Sequence, residues 1–198
     1  MERGVPKNEI HEEKEKIMRI RDAVETDKIE ILNVHQKAFG EKEGFVIKKL
    51  VKDLFEDVTA KPVFSIVAVE DDMIVGHILF SKAIINGAGE GLRAQLLAPL
   101  AVLPDYQDKG IGRLLIKAGI DKLRKSGVKL VFVLGHPGYY PRCGFSPAGE
   151  LGFEAPYPIP EKHAGAWMVQ ELFPGIIGCE KGKVQCADVL NDPKHWRE

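Results

Sequence analysis

Leu96-Leu97-Ala98-Pro99-Leu100-Ala101-Val102-Leu103-Pro104-Asp105-Tyr106-Gln107-Asp108-Lys109-Gly110-Ile111-Gly112-Arg113 reads as an apolar strand, a polar turn and two glycines that open a helix. Beyond Ile111 the apolar residues Leu114, Leu115, Ala118 and Leu123, widened by Ile116 and Ile120, recur at helical spacing. Arg113, Lys117, Asp121 and Arg124 take the opposite side. This is the pattern of a helix packed on a sheet by one face, and Gly127 stands where a left-handed C-terminal cap is cheapest for glycine. Gly110 and Gly112 each cost ~1 kcal/mol relative to alanine in the first turn, so the turn gives up helix stability for bare backbone. An anion can then reach the orphan N–H groups at the positive end of the helix dipole, with Lys109 and Arg113 adding charge. The turn is read as a phosphate or pyrophosphate cradle. A Walker loop would need Gly-Lys-Ser/Thr where Arg113-Leu114 stand, and a dinucleotide fingerprint a third glycine where Leu115 stands. Both are rejected.

What remains, Gln107-x-x-Gly110-x-Gly112 after a strand, closely resembles the acyl-CoA signature of the GCN5-related N-acetyltransferases (GNAT). Leu100-Ala101-Val102-x-Pro104 precedes it, and Tyr139-Tyr140-Pro141-Arg142-Cys143-Gly144-Phe145 looks like the family's second motif. The resemblance covers roughly residues 17 to 150 and is closest to the YhbS-like branch. It implies an α/β fold with a central mixed, twisted sheet of about seven strands, helices on both faces, and a splay between the fourth and fifth strands. It implies acetyl-CoA, or another acyl-CoA, as co-substrate, held by Gln107, Asp108, Lys109, Gly110, Ile111, Gly112 and Arg113. The backbone of Leu100, Ala101 and Val102 is expected to bind the pantetheine arm as an added strand, with an N–H of Ala101 or Val102 polarising the thioester carbonyl. Pro99 fits this reading, because a proline inside a strand marks an edge or a bulge and the backbone freed there must be satisfied by something. An ordinary edge strand is the simpler alternative.

By alignment of the second motif, Tyr140 occupies the general-acid position, protonating the departing CoA thiolate; the alternative is a tyrosine that only packs on the cofactor. Catalysis is assigned to Tyr140 and Val102. Tyr139 is read as core, and a covalent Cys143 intermediate is disfavoured for want of an adjacent base. The chain departs from the family at the general base: Leu92-Arg93-Ala94-Gln95-Leu96-Leu97 holds no carboxylate. A water chain, Glu70, His77, His136 or an already neutral acceptor remain open.

At 198 residues, 44% of them apolar, the chain holds one well-buried domain. A net charge of -1 argues against a broad nucleic-acid surface. No apolar run approaches the ~18 residues of a spanning helix, so no membrane partner is expected, and a cytoplasmic monomer or homodimer is. Cys143, Cys179 and Cys186 are odd in number, and with His163 they match no metal-ligand spacing; no metal is expected. Residues 1–16 read as a charged, flexible tail and 17–198 as one domain, with 151–198 an extension completing the sheet and acceptor site.

Within the domain, Ile17-Met18-Arg19-Ile20-Arg21 is the first strand, and Thr26 caps a helix that runs to Phe39 and stops at Gly40. A second helix follows through Val46 to Phe55, with Glu41 and Glu43 in the connecting loop, either solvated or binding a cationic amine. Val63–Val69 and Ile74–Ile85 form a hairpin on Asp71-Asp72, with His77 read as a half-buried histidine that has a hydrogen-bond partner. Ala166–Leu172 and Val184–Val189 are expected as two closing strands. Phe153, Tyr157 and Trp167 either line the acceptor pocket or pack the core. The function implied is direct acetyl transfer to an amine of a small molecule or protein. The alternative is an acyl-CoA-binding sensor that has lost catalysis. A toxin-type enzyme with a macromolecular acceptor is a third reading.

Overall fold

β1 (Met18–Asp22), β2 (Phe64–Glu70) and β3 (Met73–Ile85) form an antiparallel meander, and β4 (Ala94–Val102) adds antiparallel to β3. The computed structural model describes residues 18–89 and 91–196; the charged segment 1–16 lies outside the described residues. Between β1 and β2 come α1 (Lys28–Ala38) and α2 (Gly40–Glu56), and α3 (Ile111–Lys125) joins β4 to β5 (Leu130–Leu134). That crossover makes β4 and β5 parallel, paired from Ala94↔Leu130 to Leu97↔Val133. β6 (Ser146–Pro147), β7 (Phe153–Glu154), β8 (Trp167–Glu171) and β9 (Gly182–Gln185) follow. The main path through the sheet is β1-β2-β3-β4-β5-β8-β6, seven strands.

The central strands β2 to β5 and β8 are buried on both faces over most of their length, whereas β1 at the edge is not. On one face Leu115, Ile116, Ile120 and Leu123 of α3 pack with Ile66, Ile78, Phe80 and Val131. On the other, Ile31, Val34, Val51 and Leu54 of α1 and α2 pack with Val67, Leu79, Leu96 and Phe132. The α3 stripe is narrower than its spacing suggests, since Leu114 stays 46% exposed. Thr26 is no helix cap: it lies in a 3-10 turn, Glu25–Asp27, and α1 begins after it. Gly40 does end α1, but its φ of +72° also starts α2 at once, so Glu41 and Glu43 sit in the first turn of a helix and not in a loop.

The two closing strands part company. β8 pairs with β5, from Leu130↔Glu171 to Leu134↔Trp167, whereas β9 returns to the far end of β3 and pairs Ile84↔Gln185 and Ile85↔Val184. Phe153 and Trp167 are buried, Trp167 stacking on Phe132 with ring centroids 5.2 Å apart. The Tyr157 hydroxyl donates to the Asn191 carbonyl at 3.1 Å.

His77 is fully buried, deeper than expected, and its partners are both polar side chains: His35 Nε2 lies 2.7 Å from its Nδ1 and Ser65 Oγ 2.8 Å from its Nε2. Burial pushes His35 down to about 3, and burial together with His35 holds His77 well below the ordinary imidazole value. Both rings are therefore neutral in the folded state, and the unfolded chain binds their protons first as pH falls. The pair's contribution is intact above about pH 6.5 and drains as pH falls below it, by about 1.4 kcal/mol per pH unit for each ring. Urea midpoints are expected to drop between pH 7 and pH 5, and replacing both histidines with leucine should flatten that slope. An unchanged slope would mean that the pair does not govern it.

Candidate active site

The site begins at the bulge in β4. Register with β3 runs Ile78↔Leu100 on one side and Phe80↔Leu97 on the other, so Ala98 and Pro99 together oppose the single residue Leu79. Pro99, lacking an N–H, sits where the ladder is broken. At the same point β4 outruns β5, whose pairing stops at Leu97↔Val133, and the two strands separate.

Antiparallel backbone alternates between facing its partner and facing away. The Leu103 N–H donates to the Val75 carbonyl at 2.8 Å, and His77 stands opposite Ala101, which turns Ala101 and Leu103 toward β3. Leu100 and Val102 therefore direct their backbone into the gap. The Val102 carbonyl is taken by Gln107 Nε2 at 3.0 Å, leaving the Val102 N–H and both groups of Leu100 facing the space between the strands. By this parity the Val102 N–H faces the gap and that of Ala101 faces β3.

At the mouth of the gap, Gly110 adopts a φ of +81° as the N-cap of α3 and Asp108 a φ of 59°, a tight left-handed turn that presents the helix N-terminus. A cavity of about 460 Å³ lies here, lined by Leu100, Val102, Gln107, Asp108, Gly110, Ile111, Gly112 and Arg113 with Tyr106, Tyr139 and Arg142. Two expected residues stand apart from it. Ala101 is turned away, and Lys109 lays its ammonium over the Tyr106 ring, 4.9 Å from the centroid. Gly112 has a second reason to be bare: a Cβ there would come within 2.4 Å of the Tyr139 hydroxyl oxygen.

On the other side of the gap a chamber of about 720 Å³ is walled by α2 (Glu43, Val46, Ile47, Leu50), by β4 from Leu96 to Leu100, by Leu134 at the end of β5 with His136 and Tyr140 beyond it, and by Leu190, Lys194, His195 and Trp196. The two cavities share Leu100 and Tyr139. Tyr140 stands edge-on to Tyr139, 5.2 Å between centroids, and to Phe145, 5.7 Å. Gly135 admits it, since a Cβ there would lie 2.3 Å from Tyr140 Cε2. Burial, with Tyr139 and Cys143 nearby, pushes the Tyr140 phenol up, so it is a proton donor throughout the neutral range.

The candidate bases separate. His77 lies in the core. Glu70 pairs with Met73 beside the β2–β3 turn, outside the chamber. His136 lines the chamber, but its Nδ1 accepts from the Gly138 N–H at 3.0 Å, which places the proton of the neutral ring on Nε2 and makes that nitrogen a donor. His195, which the sequence reading missed, is half-buried in the same wall. Burial and Lys194 pull it below the usual imidazole range against the opposing pull of Asp192. Cys143 faces elsewhere, among Arg113, Lys117 and Gln170, with its thiol pushed up by burial. Glu43 lines the chamber and Glu41 does not.

Strand order, a splay opposite a bulge and a glycine turn in the crevice define an acyltransferase fold, and comparison agrees. Residues 19–148 match the acetyltransferase (GNAT) domain family, and the chain belongs to it. It is similar to the uncharacterized N-acetyltransferase YjhQ of Escherichia coli K12, 46% identical over 165 residues, 82% of this chain and 88% of that protein. It is 32% identical to the uncharacterized N-acetyltransferase YhbS of the same strain over 144 residues, 72% and 82% of the two chains. The crystal structure of Escherichia coli YhbS in complex with CoA superposes with a TM-score of 0.80 at 27% identity, covering 92% of this chain and 96% of that one. A GNAT acetyltransferase from Brucella melitensis in complex with acetyl-CoA gives 0.68 at 29% identity, covering 88% and 98%. The chain is an acetyl-CoA-dependent N-acetyltransferase. Among the described residues no helix is long and apolar enough to cross a membrane.

Proposed function

We propose that the chain acetylates a small primary amine by direct attack within a ternary complex. The observation that carries this reading is the pair of cavities meeting at Leu100 and Tyr139, one over the glycine turn and one behind the splay. Acetyl-CoA lies on the turn, its pyrophosphate on the N–H groups of Gly110 to Arg113 and its pantetheine along Leu100 and Val102. The amine enters from the chamber, whose size suits a small molecule. His195 takes a proton from the ammonium. The free amine nitrogen then bonds to the acetyl carbon, and the oxygen's developing charge rests on the Val102 N–H. As the carbon–sulfur bond breaks, sulfur takes the Tyr140 proton; the acylated nitrogen gives its second proton to solvent, and solvent returns one to the phenolate.

Initial rates with both substrates varied should give intersecting double-reciprocal lines, and enzyme incubated with acetyl-CoA alone should keep its mass. Parallel lines, or an acetyl group on Cys143, would overturn direct transfer. Tight acetyl-CoA binding with no transfer to any amine of a broad panel would establish the sensor reading instead. Because His195 must be neutral to accept a proton and its value lies below 6.5, kcat/KM should rise with pH only up to a limb below 6.5 and stay level above it. His195→Gln should remove that limb and lower the plateau by about 10²-fold or more.

A further inference from the structure

The chain leaves the sheet after β9. Residues 188–196 run as two 3-10 turns, Asp188–Leu190 and Pro193–Trp196, and belong to no strand. Yet Leu190, Lys194, His195 and Trp196 form one wall of the acceptor chamber. Apolar burial holds this strap down, Leu190 and Trp196 each being 3% exposed. Burial is non-directional, however, and by itself fixes neither the height nor the rotation of the segment.

The directional bonds that tie the strap to α2 gather at one place. The Asp188 N–H donates to Thr59 Oγ1 at 2.8 Å, and the Val189 N–H to Asp57 Oδ2 at 3.1 Å. Thr59 is itself held, its N–H and its hydroxyl both donating to Asp57 Oδ1 at 2.7 Å. Against the burial that would raise it, these bonds hold the Asp57 carboxyl below its ordinary value, so it is ionised at neutral pH. One carboxylate thus serves two turns, its own Val58–Ala60 and the distant Asp188–Leu190. A cap needed only for turn stability is supplied locally elsewhere in the strap, where Asp192 Oδ1 accepts from the Lys194 N–H at 2.9 Å. Asp57 directly follows α2, whose Glu43, Val46, Ile47 and Leu50 form another wall of the same chamber.

We infer that Asp57 and Thr59 are positioning residues for acetyl transfer: they tie the end of α2 to the strap, and so set the spacing of two chamber walls and the place of His195 beside the amine. The inference rests on the reading of His195 as the group that takes the amine's proton.

The test compares Thr59→Val, which keeps the shape and removes the hydroxyl, with Thr59→Ser, which keeps the hydroxyl. In Thr59→Val, kcat/KM for the amine should fall about 10- to 100-fold. The calorimetric Kd for acetyl-CoA should stay unchanged, because no strap residue lines the cavity over the glycine turn. Thr59→Ser should recover most of the loss. The imidazole resonances of His195, titrated without substrates, give a second readout. Burial first, then Lys194, pulls that ring below 6.5 against Asp192. Lys194 and Asp192 travel with the ring on the same segment, so a loosened strap changes chiefly its burial, and the midpoint in Thr59→Val should rise toward 6.5. An unmoved midpoint, or a serine variant as impaired as the valine one, overturns the proposal. So does an equal loss of acetyl-CoA binding, which would make the pair a support of the fold as a whole. His195→Gln tells the two readings apart: an acid limb that survives it removes His195 as base, while the imidazole midpoint still reports on the tie.

Discussion

Gly112→Ala is expected to weaken acetyl-CoA binding about 10- to 100-fold, and Tyr139→Phe added to it should restore most of the loss. The methyl group would arrive 2.4 Å from the Tyr139 hydroxyl oxygen but 3.5 Å from the ring carbon that bears it. Only the hydroxyl must yield, and overpacking of this kind costs about 1–3 kcal/mol, which is the source of the fold-change. The helix itself gains, since alanine in place of glycine contributes about 1 kcal/mol to α3. The helix gain offsets part of the clash in the free protein, so stability should fall by no more than about 2 kcal/mol while affinity falls. Calorimetric titration of acetyl-CoA into wild type, both single variants and the double variant reads the cycle. Restoration places the need for glycine at the contact with Tyr139. No restoration places it at the approach of the phosphates to the bare backbone, the reading suggested by sequence.

Tyr140→Phe should lower kcat by about 10²- to 10⁴-fold with acetyl-CoA affinity unchanged. The ring keeps its contacts with Tyr139 and Phe145, so packing is conserved and only the proton is lost. Burial raises the phenol above its ordinary value of 10.0, and a raised acid stays protonated as pH climbs through 10. Wild-type kcat should therefore show no alkaline limb up to pH 10. A limb near pH 9, or a Phe variant with wild-type kcat, would remove Tyr140 from the proton path.

The parts of this site visible in sequence are those built from neighbouring residues. The glycine turn, the bulge at Pro99 and the Tyr140 turn each draw on a short run, and each carries a local signal: a residue without Cβ, a residue without N–H, a motif ending in Gly144-Phe145. The chamber is different. Its wall is assembled from residues 39–50, 96–100, 134–140 and 190–196, and nothing in Lys194-His195-Trp196 announces that the segment folds back beside α2. Trp196 sits there because its ring packs against Trp167, centroids 5.7 Å apart, and its indole N–H donates to the Leu190 carbonyl, both tertiary facts. Which of Ala101 and Val102 faces the gap also waited on structure, because it depends on strand parity, and parity depends on how many residues the bulge adds. The sequence places the last strand at Val184–Val189, but the structure has it at Gly182–Gln185 with a 3-10 turn at Asp188–Leu190, and nothing in the sequence names β3 as its partner.

That split between a contiguous cradle and a wall gathered from distant segments bears on how such an enzyme diversifies. Mutations that resculpt the chamber fall in α2 and near residue 195, where none of the residues over the glycine turn reside. Lineages can therefore exchange one amine for another while the donor grip is inherited intact. Of the residues they can alter, Leu100 and Tyr139 alone belong to both halves, and purifying selection should weigh most heavily on those two.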